Sequence, residues 1–146
     1  MTKRITISTL DAMKASGDKF VMITAYDATF ARLASEAGAE TILVGDSLGM
    51  VLQGHETTIP VSLNAMVYHT ECVARAKPRS LIVADLPFMS FSNSDDALHA
   101  STQLMQAGAQ MVKLEGGTWL SDSINRLVER GVPVCAHLGL TPQSVN

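Results

Sequence analysis

The chain has 146 residues, of which 47% are hydrophobic and 17% are charged. A chain of this length can form one globular core but not two ordinary domains, so we expect a single domain over residues 1–146. The net charge of -3 gives no electrostatic reason to expect nucleic acid or an anionic membrane as a partner. No segment has the roughly 18 uninterrupted apolar residues of a membrane span, and the first residues contain no apolar signal segment.

The two cysteines, Cys72 and Cys135, fall in a predicted helix and a predicted strand, far apart in the chain. We interpret them as small buried thiols rather than as a disulfide or a zinc-binding pair. Free thiols are typical of a reducing compartment, so we expect a soluble cytoplasmic protein.

The first predicted elements are a short polar helix over residues 7–16, capped by Ser8 or Thr9, and a strand over residues 20–25. A second helix begins at about residue 28. Its apolar side chains recur at helical spacing, which predicts one buried face. That face consists of Phe30, Leu33, Ala34 and Ala37.

Four later strands end in acidic or titratable side chains. The strands with their terminal residues are 41–44 with Asp46 and Ser47, 81–84 with Asp85, 111–114 with Glu115, and 132–136 with His137. Each run consists mainly of β-branched and aliphatic residues, with Lys113 as the charged exception, which is typical of a parallel strand covered on both faces. The carboxyl edge of a parallel sheet is where α/β proteins bind their ligands, so these residues are candidates for a site.

The segments between the strands predict crossover helices. Ser62 and Ser94 are the expected N-caps of two helices, and residues 118–130 form a further one. The inward residues of that last helix are expected to be Leu120, Ile124, Leu127 and Val128. Residues 48–60 are expected to form a long functional loop. Strand and helix alternate throughout, which requires a parallel sheet.

Asp46, Asp85 and Glu115 would repel one another if they met unpaired at this edge, and a divalent cation would remove the repulsion. Mg²⁺ usually takes one or two protein carboxylates and leaves its other positions to water and substrate oxygens. Lys113, Ser47 and His137 would suit an anionic organic substrate. The alternatives are that the acids cap helices, that Lys113 lies at the surface and that His137 is structural.

Four segments, 44–49, 84–88, 112–117 and 136–143, closely resemble the ketopantoate hydroxymethyltransferase family. The resemblance extends along the whole chain and implies an α/β fold, the (β/α)₈ TIM barrel of the phosphoenolpyruvate/pyruvate superfamily, with only the first five strands present here. It also implies transfer of a hydroxymethyl group from 5,10-methylenetetrahydrofolate to 3-methyl-2-oxobutanoate, giving 2-dehydropantoate for pantothenate synthesis.

The same resemblance implies roles for the strand-end residues. Asp46 and Asp85 would ligate Mg²⁺, with Glu115 at the metal site, and Ser47 and Lys113 would hold the 2-oxo acid. His137 would line the pocket. The resemblance further implies a large homo-oligomer, a decamer.

A barrel of this type needs eight strands and about 250 residues. The family's general base, a glutamate, is expected beyond Asn146, so we expect the chain to be the N-terminal part of a longer protein. Two alternatives stay open. One is a Mg²⁺-dependent carbon–carbon lyase or mutase of the same superfamily, and the other is a non-catalytic half-barrel that binds metal.

Overall fold

A five-stranded parallel sheet forms the centre of the protein in the computed structural model, which describes residues 4–145. Its spatial order follows the chain, so each strand pairs in parallel with the strand that precedes it. The strands are β1 (Met22–Thr24), β2 (Thr41–Val44), β3 (Leu81–Asp85), β4 (Met111–Glu115) and β5 (Val134–His137).

Helices connect the strands, as parallel pairing requires. They are α1 (Ile7–Ser16), α2 (Ala28–Glu36), α3 (Leu48–Val51), α4 (Leu63–Arg75), α5 (Ser94–Ala107) and α6 (Ser121–Glu129), with 3₁₀ turns at Thr118–Leu120 and Pro142–Ser144. Within residues 4–145, no helix combines the length and apolarity needed to cross a membrane. The predicted parallel α/β fold is confirmed.

Alternate residues along the strands pack into two separate apolar layers. Ile42, Ile82 and Val112 belong to the larger core, which lies between the sheet and the crossover helices. Leu81 and Val83 point to the opposite face. This alternation follows from the twofold period of a strand, and it decides which strand-end side chains can meet.

The amino-terminal segment covers part of the second face. Ile5 is buried with Leu81 and Val83, and Ile7 and Leu10 pack beside them. The backbone N–H of Ile5 also donates to the carbonyl of Arg79, 2.7 Å away, just before β3. Residues 5–10 therefore cover the end of the sheet where the strands begin.

Two predicted helix caps were wrong by one to three residues. Thr6, not Ser8 or Thr9, caps α1, and its side chain and that of Thr9 bond reciprocally to each other's backbone N–H groups. Asn93, not Ser94, caps α5, where its side-chain oxygen accepts from the N–H groups of residues 95 and 96. In both cases the true cap has the extended backbone that an N-cap requires. Ser62 is confirmed as the cap of α4.

The predicted buried faces of two helices need correction. Phe30 and Leu33 of α2 are 63% and 55% exposed, and Ala37 is also exposed, so of the four predicted residues only Ala34 is buried. This helix instead packs through Ala31, Ala34 and Ser35, small residues that allow close approach. Leu120 and Leu127 are buried as predicted, but Val128 is exposed.

The predicted loop 48–60 begins with a short helix, α3, which the sequence analysis did not anticipate. Leu48 is fully buried and Gly49 lies close to the side chain of Val61, so packing holds this single turn against the core. Cys72 and Cys135 are free thiols, as predicted, but both are half-buried rather than buried.

Candidate active site

The structure brings the three predicted carboxylates to one edge of the sheet. Asp46 follows β2, Asp85 ends β3 and Glu115 ends β4, and all three side chains are buried. The strand register places Asp85 opposite Lys113 and Glu115 opposite His137. The predicted meeting of these residues at the carboxyl ends of the strands is thus observed.

Gly45 allows the chain to turn tightly between β2 and Asp46. A Cβ at this position would lie 2.9 Å from Ser47 Oγ and 3.4 Å from Asp85 Oδ2, and the first of these distances is too short for a real side chain. The turn lets the backbone N–H of Asp46 donate to Asp85 Oδ2 at 3.2 Å. The backbone N–H of Asp46 therefore helps to orient the carboxylate of Asp85.

Lys113 forms the strongest charged contact of the site. Its Nζ donates to Asp85 Oδ1 at 2.6 Å, and both side chains are largely shielded from water. Lys113 lies opposite Asp85 in the register of β3 and β4, so the two side chains project from the same face of the sheet. A lysine can therefore occupy this apolar strand because it forms a buried ion pair. The alternative of a lysine at the surface is wrong.

Ser47 contacts a residue to which the sequence analysis assigned no role. Its hydroxyl lies 2.9 Å from Tyr26 Oη, at the end of β1. The backbone carbonyl of Tyr26 in turn lies 2.8 Å from Nδ1 of His69 in α4. The adjacent Asp27 has a structural task, since its side chain accepts from the N–H of Phe30 and caps α2.

His137 lies beside Glu115 but is not hydrogen-bonded to it. Its Nδ1 is 3.4 Å from Glu115 Oε2, within ion-pair range. Nδ1 is nevertheless buried and has no hydrogen-bond partner among the described residues, because the alignment of the two groups is poor. Among the predicted site residues that the structure describes, His137 is the one with a fully buried side-chain nitrogen that has no hydrogen-bond partner.

Gln143 joins the carboxylates and was missed by the sequence analysis. It is buried, its Nε2 donates to Asp46 Oδ2 at 2.7 Å, and its backbone N–H donates to Glu115 Oε1 at 2.6 Å. It lies within the 136–143 segment, but an uncharged glutamine in a loop gives no chemical signal by itself. Only the fold shows that a residue 97 positions from Asp46 contacts it.

Burial and mutual repulsion raise the pKa values of two of the acids, Asp46 and Asp85. Burial, reinforced by the nearby Asp85 carboxylate, raises the pKa of Asp46 from 3.8 to about 6, although the Gln143 hydrogen bond opposes the shift. Burial also raises the pKa of Asp85, against the opposing effect of the Lys113 ammonium. Buried carboxylates that repel one another are stabilised by a cation or another positively charged group beside them.

The donor set fits a hard divalent cation that takes few protein ligands. Among residues 4–145, no three His, Cys, Asp or Glu side chains are grouped closely enough to hold a metal by themselves. Asp85 and Glu115 already bond or pair through both oxygens, whereas the hydrogen bond to the Asp46 carboxylate reaches only Oδ2. Mg²⁺ needs only one or two carboxylates, so these residues suit it if substrate oxygens complete the shell.

A small cavity adjoins the carboxylates. Its volume is about 150 Å³, and its walls include Glu115, Gln143 and the stacked rings of Phe91 and Trp119, whose centroids are 6.1 Å apart. A Cβ on Gly116 would lie 2.7 Å from the indole, so glycine at this position permits the ring to fold over the strand end. A larger cavity of about 750 Å³, lined by residues such as Arg4 and Lys77, does not include any of the site residues.

Solved structures share this architecture. A phosphonopyruvate hydrolase superimposes with a TM-score of 0.72 over 87% of this chain and 50% of its own, at 20% identity. A 2,3-dimethylmalate lyase, described as a PEP mutase/isocitrate lyase superfamily member, gives 0.65 over 88% and 51%, at 18% identity. The chain therefore has the fold of part of a TIM barrel, with five parallel strands.

Sequence comparison assigns the chain to one protein family. The model of the family described as ketopantoate hydroxymethyltransferase matches residues 4–146, and the chain belongs to that family. The 3-methyl-2-oxobutanoate hydroxymethyltransferase of Burkholderia multivorans is 61% identical over 97% of this chain and 52% of its own length. The protein of the same name from Marinobacter nauticus is 61% identical, with 97% and 54% covered. The chain thus spans about half the length of the curated relatives it matches.

Proposed function

We propose that the protein containing this chain transfers a hydroxymethyl group from 5,10-methylenetetrahydrofolate to 3-methyl-2-oxobutanoate, giving 2-dehydropantoate. The observation that carries the proposal is the buried edge where Asp46, Asp85 and Glu115 meet beside Lys113. Membership of the ketopantoate hydroxymethyltransferase family supports the reaction class. The proposal extends to a cytoplasmic homo-oligomer, a decamer by resemblance to the family.

The chain's own residues suit the recognition of a small 2-oxo acid. Lys113 supplies a shielded positive charge for the substrate's carboxylate or developing enolate, and Ser47 supplies a hydroxyl held by Tyr26. His137 lines the same edge with its unpartnered Nδ1. Because these groups lie on adjacent strand ends, they are held in place before the substrate arrives.

Asp46 and Asp85 would hold Mg²⁺, with Glu115 beside it. When bound, the cation would polarise the keto group and stabilise negative charge on the enolate. Glu115 is fixed by Gln143 and lies next to His137, so its role is to keep the surrounding charge negative and ordered. Removal of the C3 proton requires a base, which we place in the glutamate expected beyond Asn146.

Exchange of the C3 hydrogen of 3-methyl-2-oxobutanoate in D₂O, followed by NMR with and without Mg²⁺, tests the proposal on this polypeptide. We expect Mg²⁺-dependent binding of the oxo acid, and Asp85→Asn should weaken it at least tenfold because the variant loses a ligand charge. Asp11→Asn, at an exposed position of α1, is the matched control and should bind like the parent chain.

The outcomes separate the candidates. Mg²⁺-dependent exchange means that enolate chemistry is complete in this chain, whereas binding without exchange places the base beyond Asn146. Equal binding with and without Mg²⁺, or by Asp85→Asn, would contradict the proposal. Exchange without product formation from 5,10-methylenetetrahydrofolate, tested on the longer protein, would favour a lyase or mutase of the same superfamily.

A non-catalytic role is the second candidate function. The observation that favours it is that the proposed metal and oxo-acid groups come from β2, β3, β4, β5 and their following turns, and so all lie within residues 4–145. In this case the chain binds Mg²⁺ and the oxo acid but never exchanges the C3 hydrogen, even when mixed with the remainder of the barrel.

A further inference from the structure

Gln143 is the buried centre of an otherwise exposed segment. It lies in the 3₁₀ turn Pro142–Ser144 after β5, and it is only 6% exposed. Leu138 and Leu140, which precede it, are 70% and 75% exposed, and Val145 is also exposed. The segment is therefore held to the sheet through a polar residue, while its large apolar side chains face outward.

All hydrogen bonds of Gln143 are directed at the site. Its backbone N–H donates to Glu115 Oε1 at 2.6 Å, and its side-chain amide donates to Asp46 Oδ2 at 2.7 Å and to the carbonyl of Leu86 at 3.0 Å. Glu115 is the last residue of β4, Leu86 comes directly after the end of β3, and Asp46 is the second residue after the end of β2. One residue thus links the carboxyl ends of three adjacent strands.

The chemistry of these contacts goes beyond attachment of a loop. Hydrogen bonds from neutral amides to ionised carboxylates are about twice as strong as neutral ones and fix the orientation of the acceptor. Because Gln143 occupies Oδ2 of Asp46, the carboxylate cannot rotate freely, and Oδ1 is left without a hydrogen bond among the described residues. A loop that needed only an anchor could use an apolar side chain in the cavity beside Trp119.

We propose that Gln143 is a positioning residue, which orients the Asp46 and Glu115 carboxylates so that Asp46 presents its second oxygen to a divalent cation. The inference rests on the proposed function, since it concerns the same metal site. Nothing in the family resemblance of the sequence assigns a role to this glutamine.

Titration of the chain with Mn²⁺, observed by electron paramagnetic resonance, tests the inference without any enzymatic activity. We expect Gln143→Met, which keeps the length of the side chain but removes the amide, to weaken Mn²⁺ binding on the order of tenfold. The control is Gln106→Met, the same change at an exposed position near the end of α5, which should bind Mn²⁺ like the parent chain.

Trp119 gives an independent signal from the same place. It is the only tryptophan in the chain and lines the cavity that Gln143 closes. A shift in its fluorescence reports detachment of the segment. If Gln143→Met shifts the fluorescence and lowers the melting temperature while Mn²⁺ affinity stays unchanged, Gln143 only attaches the loop and the inference is wrong. Tighter Mn²⁺ binding would also overturn it, since Gln143 would then compete with the metal.

Gln143→Asn keeps the inference testable if the methionine variant does not fold. It retains the backbone bond to Glu115 but shortens the side chain, so the bond to Asp46 is lost. We expect several-fold weaker Mn²⁺ binding, and unchanged binding would overturn the inference. If the parent chain binds no Mn²⁺, the proposed metal site is wrong as well as the role of Gln143. If the parent and its variants bind Mn²⁺ with equal affinity, only the role of Gln143 is wrong.

Discussion

The first and third strands of the sheet have an isoleucine at the same level but differ in their surroundings. The register aligns Ile23 of β1, Ile42 of β2 and Ile82 of β3 in one row across the sheet. Ile23 is 40% exposed, whereas Ile42 and Ile82 are fully buried. The same side chain, at the same level of the same sheet, is therefore in water at one position and in the core at another.

This difference in exposure shows that apolar residues alone do not determine whether a strand is buried. Strand β3 has a neighbour on each side and helices over one face, whereas β1 pairs only with β2. Burial therefore depends on position in the sheet, and β1 is an open edge of the kind that proteins usually cover. In an eight-stranded barrel, the remaining strands would close this edge.

The largest expected effect comes from shortening the same residue at both ends of the row. Ile82→Ala should lower the free energy of unfolding by about 3 kcal/mol, because it leaves a cavity in a packed core. Ile23→Ala should cost less than about 1 kcal/mol, because water already reaches that side chain. Urea unfolding of the two variants measures the contrast, and equal losses would show that β1 is covered in solution.

Asp46, which follows the buried strand β2, is affected by the same burial. Asp46 is buried, and burial raises its pKa from 3.8 to about 6. Since the folded state binds the proton more tightly than the unfolded state, the free energy of unfolding falls as pH rises from about 4 to about 6. Asp46→Asn removes the ionisation, so it should be more stable than the parent by about 2 kcal/mol at pH 7 and equally stable near pH 3.

Thermal and urea unfolding at pH 3, 5 and 7 check this prediction. Asp11→Asn, at an exposed position, serves as the control and should have the same stability as the parent at each of these pH values. Saturating Mg²⁺ should reduce the advantage of Asp46→Asn, because a bound cation stabilises the ionised parent. A variant less stable than the parent at pH 7 would mean that Asp46 acts mainly as a structural acceptor for Gln143.

The smallest expected effect belongs to Asp27, which follows the exposed β1. Its side chain caps α2 through the N–H of Phe30. Asp27→Ala should therefore cost about 1 kcal/mol of unfolding free energy, whereas Asp27→Asn, which can still cap, should cost almost nothing. If both variants lost oxo-acid binding without losing stability, Asp27 would belong to the site.

The placement of the site was predictable where it depended on strand order. Asp46, Asp85 and Glu115 were expected to meet because each follows an apolar run, and parallel strands bring such ends to one edge. The side of Lys113 followed from the twofold period of the strand. The roles of these residues in binding metal and substrate stay predictions.

The remaining features depend on contacts that no local pattern contains. Gln143 reaches Asp46 from a loop 97 residues away, and Tyr26 meets Ser47 only because β1 lies beside β2. The exposed face of α2 was predicted to be buried because helical spacing shows where apolar residues lie but not what covers them. Phe30 and Leu33 do have helical spacing, but the prediction that they are buried was wrong.

The packing of residues 5–10 against the sheet has a consequence for the order of folding. Successive strands pair with their immediate predecessors, so each unit can join the sheet as the ribosome releases it. Ile5 is different, because its backbone partner Arg79 and its core partners Leu81 and Val83 are made more than 70 residues later. Such distant contacts carry a loop-closure cost and form late, so the segment around Ile5 can pack only after residues 79–83 have been made and paired.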